Sequence, residues 1–311
     1  MLKRLLFWPL IVFLVAACVG TPVLAQSNAD AAAQIRFQFS VMGKDGQYLR
    51  NLVKEDFEVI DGKESKPILE FSPDAGPATI GILIDLSGSI QPAMPRAISN
   101  ALSKVISDGN LENEYLFAVF HEQFRLVVEP TQDRRRINDG LELLKSGLPK
   151  KNTRLNDAIT NCLLEMERSK FSRRVLVVIS DGSDTSSNVS HRELLRTLKE
   201  GDTTVYFAGD STRSSGVIKI MGQASMDEIA SVTGGRAFYF LDEKELTDVL
   251  QRIIDEIESS YVLAFSPSKP RKAKQWRKVV INARLNKENG KVRVIHREGY
   301  YAKNSQDGKI N

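Results

Sequence analysis

Five oxygen-bearing side chains stand where apolar runs stop. Asp85, Ser87 and Ser89 follow the run 79–84, Asp181 follows 174–179, and Thr153 precedes a helical pattern that opens at Leu155. His and Cys do not cluster with them, and donors that are oxygen alone suit hard cations: Mg²⁺ first, then Mn²⁺ or Ca²⁺. Alternate residues of Asp85-x-Ser87-x-Ser89 can face one centre from a turn, and Gly88 relieves the tight backbone. Of these donors only Asp85 and Asp181 carry charge. A divalent ion held this way is barely neutralised, so it keeps an open position that attracts a carboxylate from outside.

Residues able to position that site surround it. The runs 79–84, 115–120, 174–179, 203–208 and 236–240 do not alternate, as expected of strands buried on both faces. A short run 124–128 pairs back on 115–120 as an antiparallel edge. Helical patterns lie between the runs. One carries Met94, Ile98, Ala101, Leu102 and Val105. One opens at Ser190 with Glu193 three residues on, a capping box. The last carries Leu246, Val249, Leu250, Ile253, Ile254 and Ile257. Strand–helix alternation of this length predicts an α/β fold: a doubly wound, mostly parallel six-stranded sheet with flanking helices, Rossmann-like in plan. Ligands of such sheets bind beyond the carboxyl ends of the strands, where the five oxygens fall.

The flanks read differently. Ile35, Phe37, Phe39 and Val41 alternate with polar residues, Asp61-Gly62 marks a hairpin, and 261–265, 278–283, 292–296 and 299–302 alternate again. Neither flank can bury a core alone. The two predict one small antiparallel β-sandwich into which the α/β domain is inserted. The organisation expected is a signal peptide (1–25), N-terminal sandwich strands (26–76), the α/β domain (77–259), C-terminal sandwich strands (260–302) and a polar tail (303–311).

Lys3, Arg4, an apolar stretch and Val23-Leu24-Ala25 form the expected export signal, which places the protein in the periplasm or outside the cell. Val15-Ala16-Ala17-Cys18 offers the alternative of a lipid anchor on Cys18. Lys plus Arg numbers 43 against 39 Asp plus Glu, a net +4 too mild to argue for nucleic acid. Two cysteines exclude a disulfide scaffold, and Cys162 lies on the apolar side of its helix. The basic segment 266–278 reads as a solvated hairpin loop.

Asp85-x-Ser87-x-Ser89 with later Thr153 and Asp181 resembles the metal-ion-dependent adhesion site of von Willebrand factor type A domains. Asn51-Leu52-Val53-Lys54-Glu55-Asp56-Phe57-Glu58-Val59, Thr233-Gly234-Gly235-Arg236, Ser260-Tyr261-Val262-Leu263 and Arg297-Glu298-Gly299-Tyr300-Tyr301-Ala302 resemble an exported bacterial group, the acidobacterial-type VWFA-related proteins. The resemblance implies that Ser87, Ser89 and Thr153 contact the metal, with Asp85 and Asp181 acting partly through water. Asp184 is a candidate for the shell behind them. It also implies that the last helix shifts when the metal takes a ligand, here directly towards Tyr261. Where similar proteins place glycine before the threonine, this chain has Lys150-Lys151-Asn152. The two lysines, with His121, form the expected rim. They repel a cation and favour an acidic ligand.

The function expected is non-enzymatic binding of a protein partner through that partner's Asp or Glu. A structural cell-envelope scaffold with a vestigial metal site is the alternative. A Ser87–His121–Asp181 hydrolase ranks third, because no G-x-S-x-G elbow surrounds Ser87.

Overall fold

The structure, a computed structural model, describes residues 34–87, 93–144, 152–212, 216–268, 275–285 and 291–302. The signal segment with Cys18, Ser89, Lys150, Lys151, most of the basic loop and the tail 303–311 lie outside the described residues.

Four strands come first: β1 (Ile35–Met42), β2 (Phe57–Asp61), β3 (Glu64–Lys66) and β4 (Glu70–Ser72). The α/β stretch begins with β5 (Thr79–Asp85), α1 (Met94–Asp108), β6 (Glu114–Phe120), β7 (Phe124–Thr131), α2 (Arg134–Leu144) and α3 (Leu155–Met166). It continues with β8 (Arg174–Ser180), α4 (His191–Glu200), β9 (Thr204–Asp210), α5 (Gly216–Thr233), β10 (Ala237–Phe240) and α6 (Glu243–Glu258). Four strands close the chain: β11 (Tyr261–Phe265), β12 (Trp276–Ala283), β13 (Arg293–His296) and β14 (Gly299–Tyr301).

The central sheet has the order β10-β9-β8-β5-β6-β7. Its pairs are parallel except the edge pair β6–β7. Successive side chains of each strand feed opposite faces. Ile80, Ile82 and Ile84 pack with α1, α2 and α6, whereas Leu83, Leu176 and Val178 pack with α3, α4 and α5. Burial on both faces is why these strands read as unbroken apolar runs. Ser190 and Glu193 close the expected capping box on α4, each accepting the other's backbone N–H. Asp242 caps α6 by accepting from the N–H groups of Lys244 and Glu245.

The flanks form two four-stranded sheets, β13-β1-β11-β4 and β14-β12-β2-β3, each drawing strands from both ends of the chain. Phe37, Phe39, Leu263 and Phe265 from one meet Phe57, Val59, Val279 and Ile281 from the other in a single core. Asp61 is fully buried there. It accepts from Arg277 (2.7 Å), from the Ser268 N–H (2.9 Å) and from the Tyr300 hydroxyl (3.0 Å). Burial alone would raise its carboxyl, but these three donors hold it below the ordinary aspartate value.

Two helices, α2 and α5, are absent from the sequence expectations. α2 is rich in charge and carries Gly140, so its stripe of Ile137, Leu141 and Leu144 is thin. α5 crowds Val217, Ile218, Ile220 and Met221 onto a side of its first turns largely away from the residues it later buries, which blurs a 3.6-residue period. Among the described residues no helix is long and apolar enough to cross a membrane.

Candidate metal centre

The chain runs from β5 to β6 on one side of the sheet, and β8 then pairs with the other side of β5. The switch point therefore lies between β5 and β8, and sheets of this kind bind ligands beyond the carboxyl ends of the strands at that point. Asp85 ends β5 and Asp181 directly follows β8.

Asp85 is fully buried, and its two oxygens are separately braced. Oδ1 accepts the Ser87 N–H at 2.8 Å and Oδ2 accepts the Ser180 hydroxyl at 2.8 Å. The Ser87 side chain also bonds to Asp85. Burial pushes the carboxyl up to about 7, and the charge of Asp181 adds to the rise, against the bonds from Ser87 and Ser180. A positive charge supplied at this point reverses that balance.

Thr153 is held at the same rim from two directions. Its N–H donates to Thr185 Oγ1 (3.0 Å), and its carbonyl accepts the N–H groups of Thr185 (2.9 Å) and Ser186 (3.2 Å) from the loop after Asp181. The next residue, Arg154, donates its N–H to the carbonyl of His121 beyond β6 (3.0 Å). The backbone does the positioning, and none of the hydrogen bonds described for Thr153 uses its hydroxyl. Asp181 spends Oδ1 on the Ser183 N–H at 2.9 Å. The structure thus brings Asp85, Ser87, Thr153 and Asp181 to one rim.

Asp184 serves a neighbouring task. Its Oδ2 accepts the Asn156 N–H at the start of α3 (2.8 Å) and the Ser187 hydroxyl (2.6 Å), so it caps the helix that follows Thr153. His121 stands on the rim, but its Nδ1 accepts the backbone N–H groups of Glu122 (2.5 Å) and Gln123 (3.3 Å). That ring nitrogen serves its own turn.

Ser180 and Asp210 are absent from the sequence expectations. Ser180 is the brace on Asp85. Asp210 ends β9, beside β8 on the same rim; its Oδ1 accepts the Thr212 N–H at 2.8 Å, and its buried Oδ2 has no protein partner. The signal for Asp210 was the rule that found Asp181: a carboxylate just beyond a buried run.

Among the described residues no three His, Cys, Asp or Glu side chains converge as a metal site. The candidate ligands offer two carboxylates, Asp85 and Asp181, beside neutral hydroxyls. Such a set fits a hard divalent ion that completes its coordination with water or an outside ligand.

Gly182 joins this loop to α5. Its φ is +78°, and a Cβ there would lie 2.5 Å from the carbonyl oxygen of Gly222. Backbone touches backbone, and neither side has a flexible side chain to move aside. Gly182→Ala is expected to cost about 2 kcal/mol, roughly 5 °C in unfolding midpoint, and to weaken any Mg²⁺-dependent rise because Asp181 moves with it. Thermal unfolding with and without Mg²⁺ checks both effects.

The fold and rim define a doubly wound α/β domain with oxygen-bearing side chains at its switch point. The family model described as von Willebrand factor type A domain matches residues 79–252, over half of the chain, and the chain belongs to that family. No curated protein matches it. Among solved structures it is similar to proximal thread matrix protein 1 from the mussel byssus, solved with a zinc-occupied MIDAS motif. The identity is 17% and the TM-score 0.50, covering 61% of this chain and 48% of that one. The chain therefore spans about half the length of the mussel protein. BatB from Bacteroides thetaiotaomicron is 17% identical with a TM-score of 0.44, covering 57% of this chain and 97% of that one. The von Willebrand factor domain of the type V pili tip protein Mfa5 from Porphyromonas gingivalis is 10% identical with a TM-score of 0.45, covering 58% and 95%. The likeness to the mussel protein is one of fold.

Proposed function

We propose that this is an exported, non-enzymatic binding protein whose Asp85, Ser87, Ser89, Thr153 and Asp181 hold a divalent ion, Mg²⁺ by preference, that accepts a carboxylate from a protein partner. One observation carries the reading: Asp85 is buried with both oxygens braced, at the same end of the sheet as Ser87, Thr153 and Asp181. The bound ion supplies a positive centre with an open position. The chain's own residues do the rest. Ser180 and the Ser87 N–H fix the Asp85 carboxylate, and the Thr185 loop fixes the Thr153 backbone so that its hydroxyl stays on the rim. Lys150 and Lys151, two residues of like charge shortly before Thr153 in the sequence, favour an acidic visitor. Export rests on the basic, then apolar, N-terminal segment and its Val23-Leu24-Ala25 ending.

Binding of Mn²⁺ followed by electron paramagnetic resonance tests the reading. One bound ion per chain is expected, displaced by excess Mg²⁺ and lost in Asp181→Asn. A free-ion signal that the protein leaves unchanged at millimolar Mn²⁺ overturns it.

A further inference from the structure

We propose that the partner presents its carboxylate beside large apolar side chains, and that the first turns of α5 receive them. This rests on the carboxylate-accepting site above and adds the second half of the partner's recognition chemistry.

Helix α5 is seated in the core only from Gly222 onward, through Met226, Ile229 and Ala230. Before Gly222 it buries nothing. Val217 is 70% exposed, Ile218 68%, Ile220 66% and Met221 68%. At 100° per residue these four span about 160° of the helix, one broad side. Scattered exposed apolar residues are ordinary, whereas a contiguous group marks an interaction surface. Four of the ten exposed large hydrophobics among the described residues fall within five positions here. Leu241, 62% exposed, belongs to the same sheet edge, since it follows Phe240, whose carbonyl accepts the Ser211 N–H.

The patch begins within about one turn of the loop that carries Asp181. Gly182, the residue after Asp181, rests on the backbone of Gly222. Ile218 lies four residues before that contact, about 6 Å along the helix. An extended partner segment advances about 6–7 Å in two residues. A carboxylate at the metal site therefore puts apolar side chains two to three positions away onto α5. The charge agrees: Lys219 lies among the apolar residues, with its Nζ 3.5 Å from the Ser211 carbonyl, and an acidic segment suits both it and the cation.

The test is selection of a displayed random-peptide library on the full exported chain in Mg²⁺, with a selected peptide then titrated against variants. The expected consensus is Asp or Glu with a large apolar residue within about three positions. Ile218→Gln and Met221→Gln keep a helix-forming residue and add no charge. Each is expected to weaken the peptide at least about tenfold while leaving the Mg²⁺-dependent thermal shift intact. An acidic consensus without apolar preference, indifferent to both variants, overturns the inference and leaves the metal reading standing. Apolar peptides retained equally in EDTA and by Asp181→Asn overturn the joint site, and the Mn²⁺ measurement above then decides the metal reading on its own. Mg²⁺-dependent self-association of the chain, abolished by Met221→Gln, assigns the patch to a second copy and also overturns the inference. So does a selection that enriches nothing.

Discussion

Asp85→Asn is expected to unfold within about 2 °C of the parent in EDTA and to gain nothing from Mg²⁺, while the parent rises by roughly 5–10 °C when Mg²⁺ reaches a hundredfold excess over its dissociation constant. The first half follows from the hydrogen bonds. The side-chain oxygen retained in the amide still accepts the Ser87 N–H, and the amide nitrogen can donate to Ser180 Oγ, whose hydroxyl rotates to suit. The substitution also removes a charge that is costly to bury. Asp85→Ala would be a poorer probe, because it strands the buried Ser87 N–H at about 1–3 kcal/mol and mixes folding with binding. The second half follows from charge. The proposed ligands include two carboxylates, Asp85 and Asp181, and an amide leaves one. A ligand that binds only the native state stabilises by about 2.7 kcal/mol at that excess. Thermal unfolding of both proteins in EDTA and Mg²⁺ measures it. A parent that ignores Mg²⁺, or a variant that responds equally, sinks the metal reading.

The parts of the fold legible in the sequence are those with a single burial environment along their length. β5, β6, β8 and β9 are buried on both faces and show unbroken apolar runs. β2 buries one face and alternates, and β1 does so except at Ser40, which is buried against Glu256. α5 changes environment midway, from overhang to core, so no single period describes it, and it was missed together with the patch it carries. The rim was legible wherever a carboxylate or hydroxyl directly followed a buried run. What spacing alone could not show is the division of labour. Ser180 braces the Asp85 carboxylate through its hydroxyl, and Asp184 caps α3 by accepting the Asn156 N–H, because both roles depend on which groups the fold sets opposite.

The motifs outside the site prove to be seams. In Thr233-Gly234-Gly235-Arg236, the Thr233 hydroxyl accepts the Val205 N–H at 2.9 Å and donates to the Ala230 carbonyl at 2.8 Å. Gly234, at φ +83°, lies against the backbone at Arg297, where a Cβ would come within 2.4 Å. Leu52 donates its N–H to the Tyr261 hydroxyl, which donates to the Leu49 carbonyl. The first contact set binds the α/β sheet to the sandwich, and the second closes the sandwich on itself. These residues thus hold the α/β sheet and the sandwich in register.

Glu256→Ala is expected to lower the unfolding midpoint by roughly 10 °C, from a loss of about 3–5 kcal/mol on breaking a buried ionic network. Glu256 lies on α6 with a fully buried side chain, yet its partners belong to the sandwich and the sheet edge. Ser40 donates at 3.2 Å, Tyr48 at 2.5 Å and Arg236 at 3.4 Å. Burial pushes its carboxyl up, and these three donors pull it back. Truncation leaves them facing a void, whereas Glu256→Gln keeps an acceptor for Tyr48 and is expected to cost less than half as much. A second clasp holds the same helix end. Arg173 donates to the carbonyls of Gly76 and Ile257 and to Gln38 on β1. Only Ser259 and Ser260 separate α6 from β11, and Arg50 donates to Ser259 Oγ at 3.0 Å. A helix tied at this many points does not slide past the sandwich. Any displacement of α6 either breaks Glu256 from its donors, at a cost comparable to the whole gain from a bound metal, or carries β11 with it. Hydrogen exchange separates the two: in the parent, α6 and β11 are expected to open together, and in Glu256→Ala the helix is expected to open alone. A midpoint within about 2 °C of the parent, or unchanged joint opening, would show that Arg173 suffices and that the Glu256 network does not couple the modules.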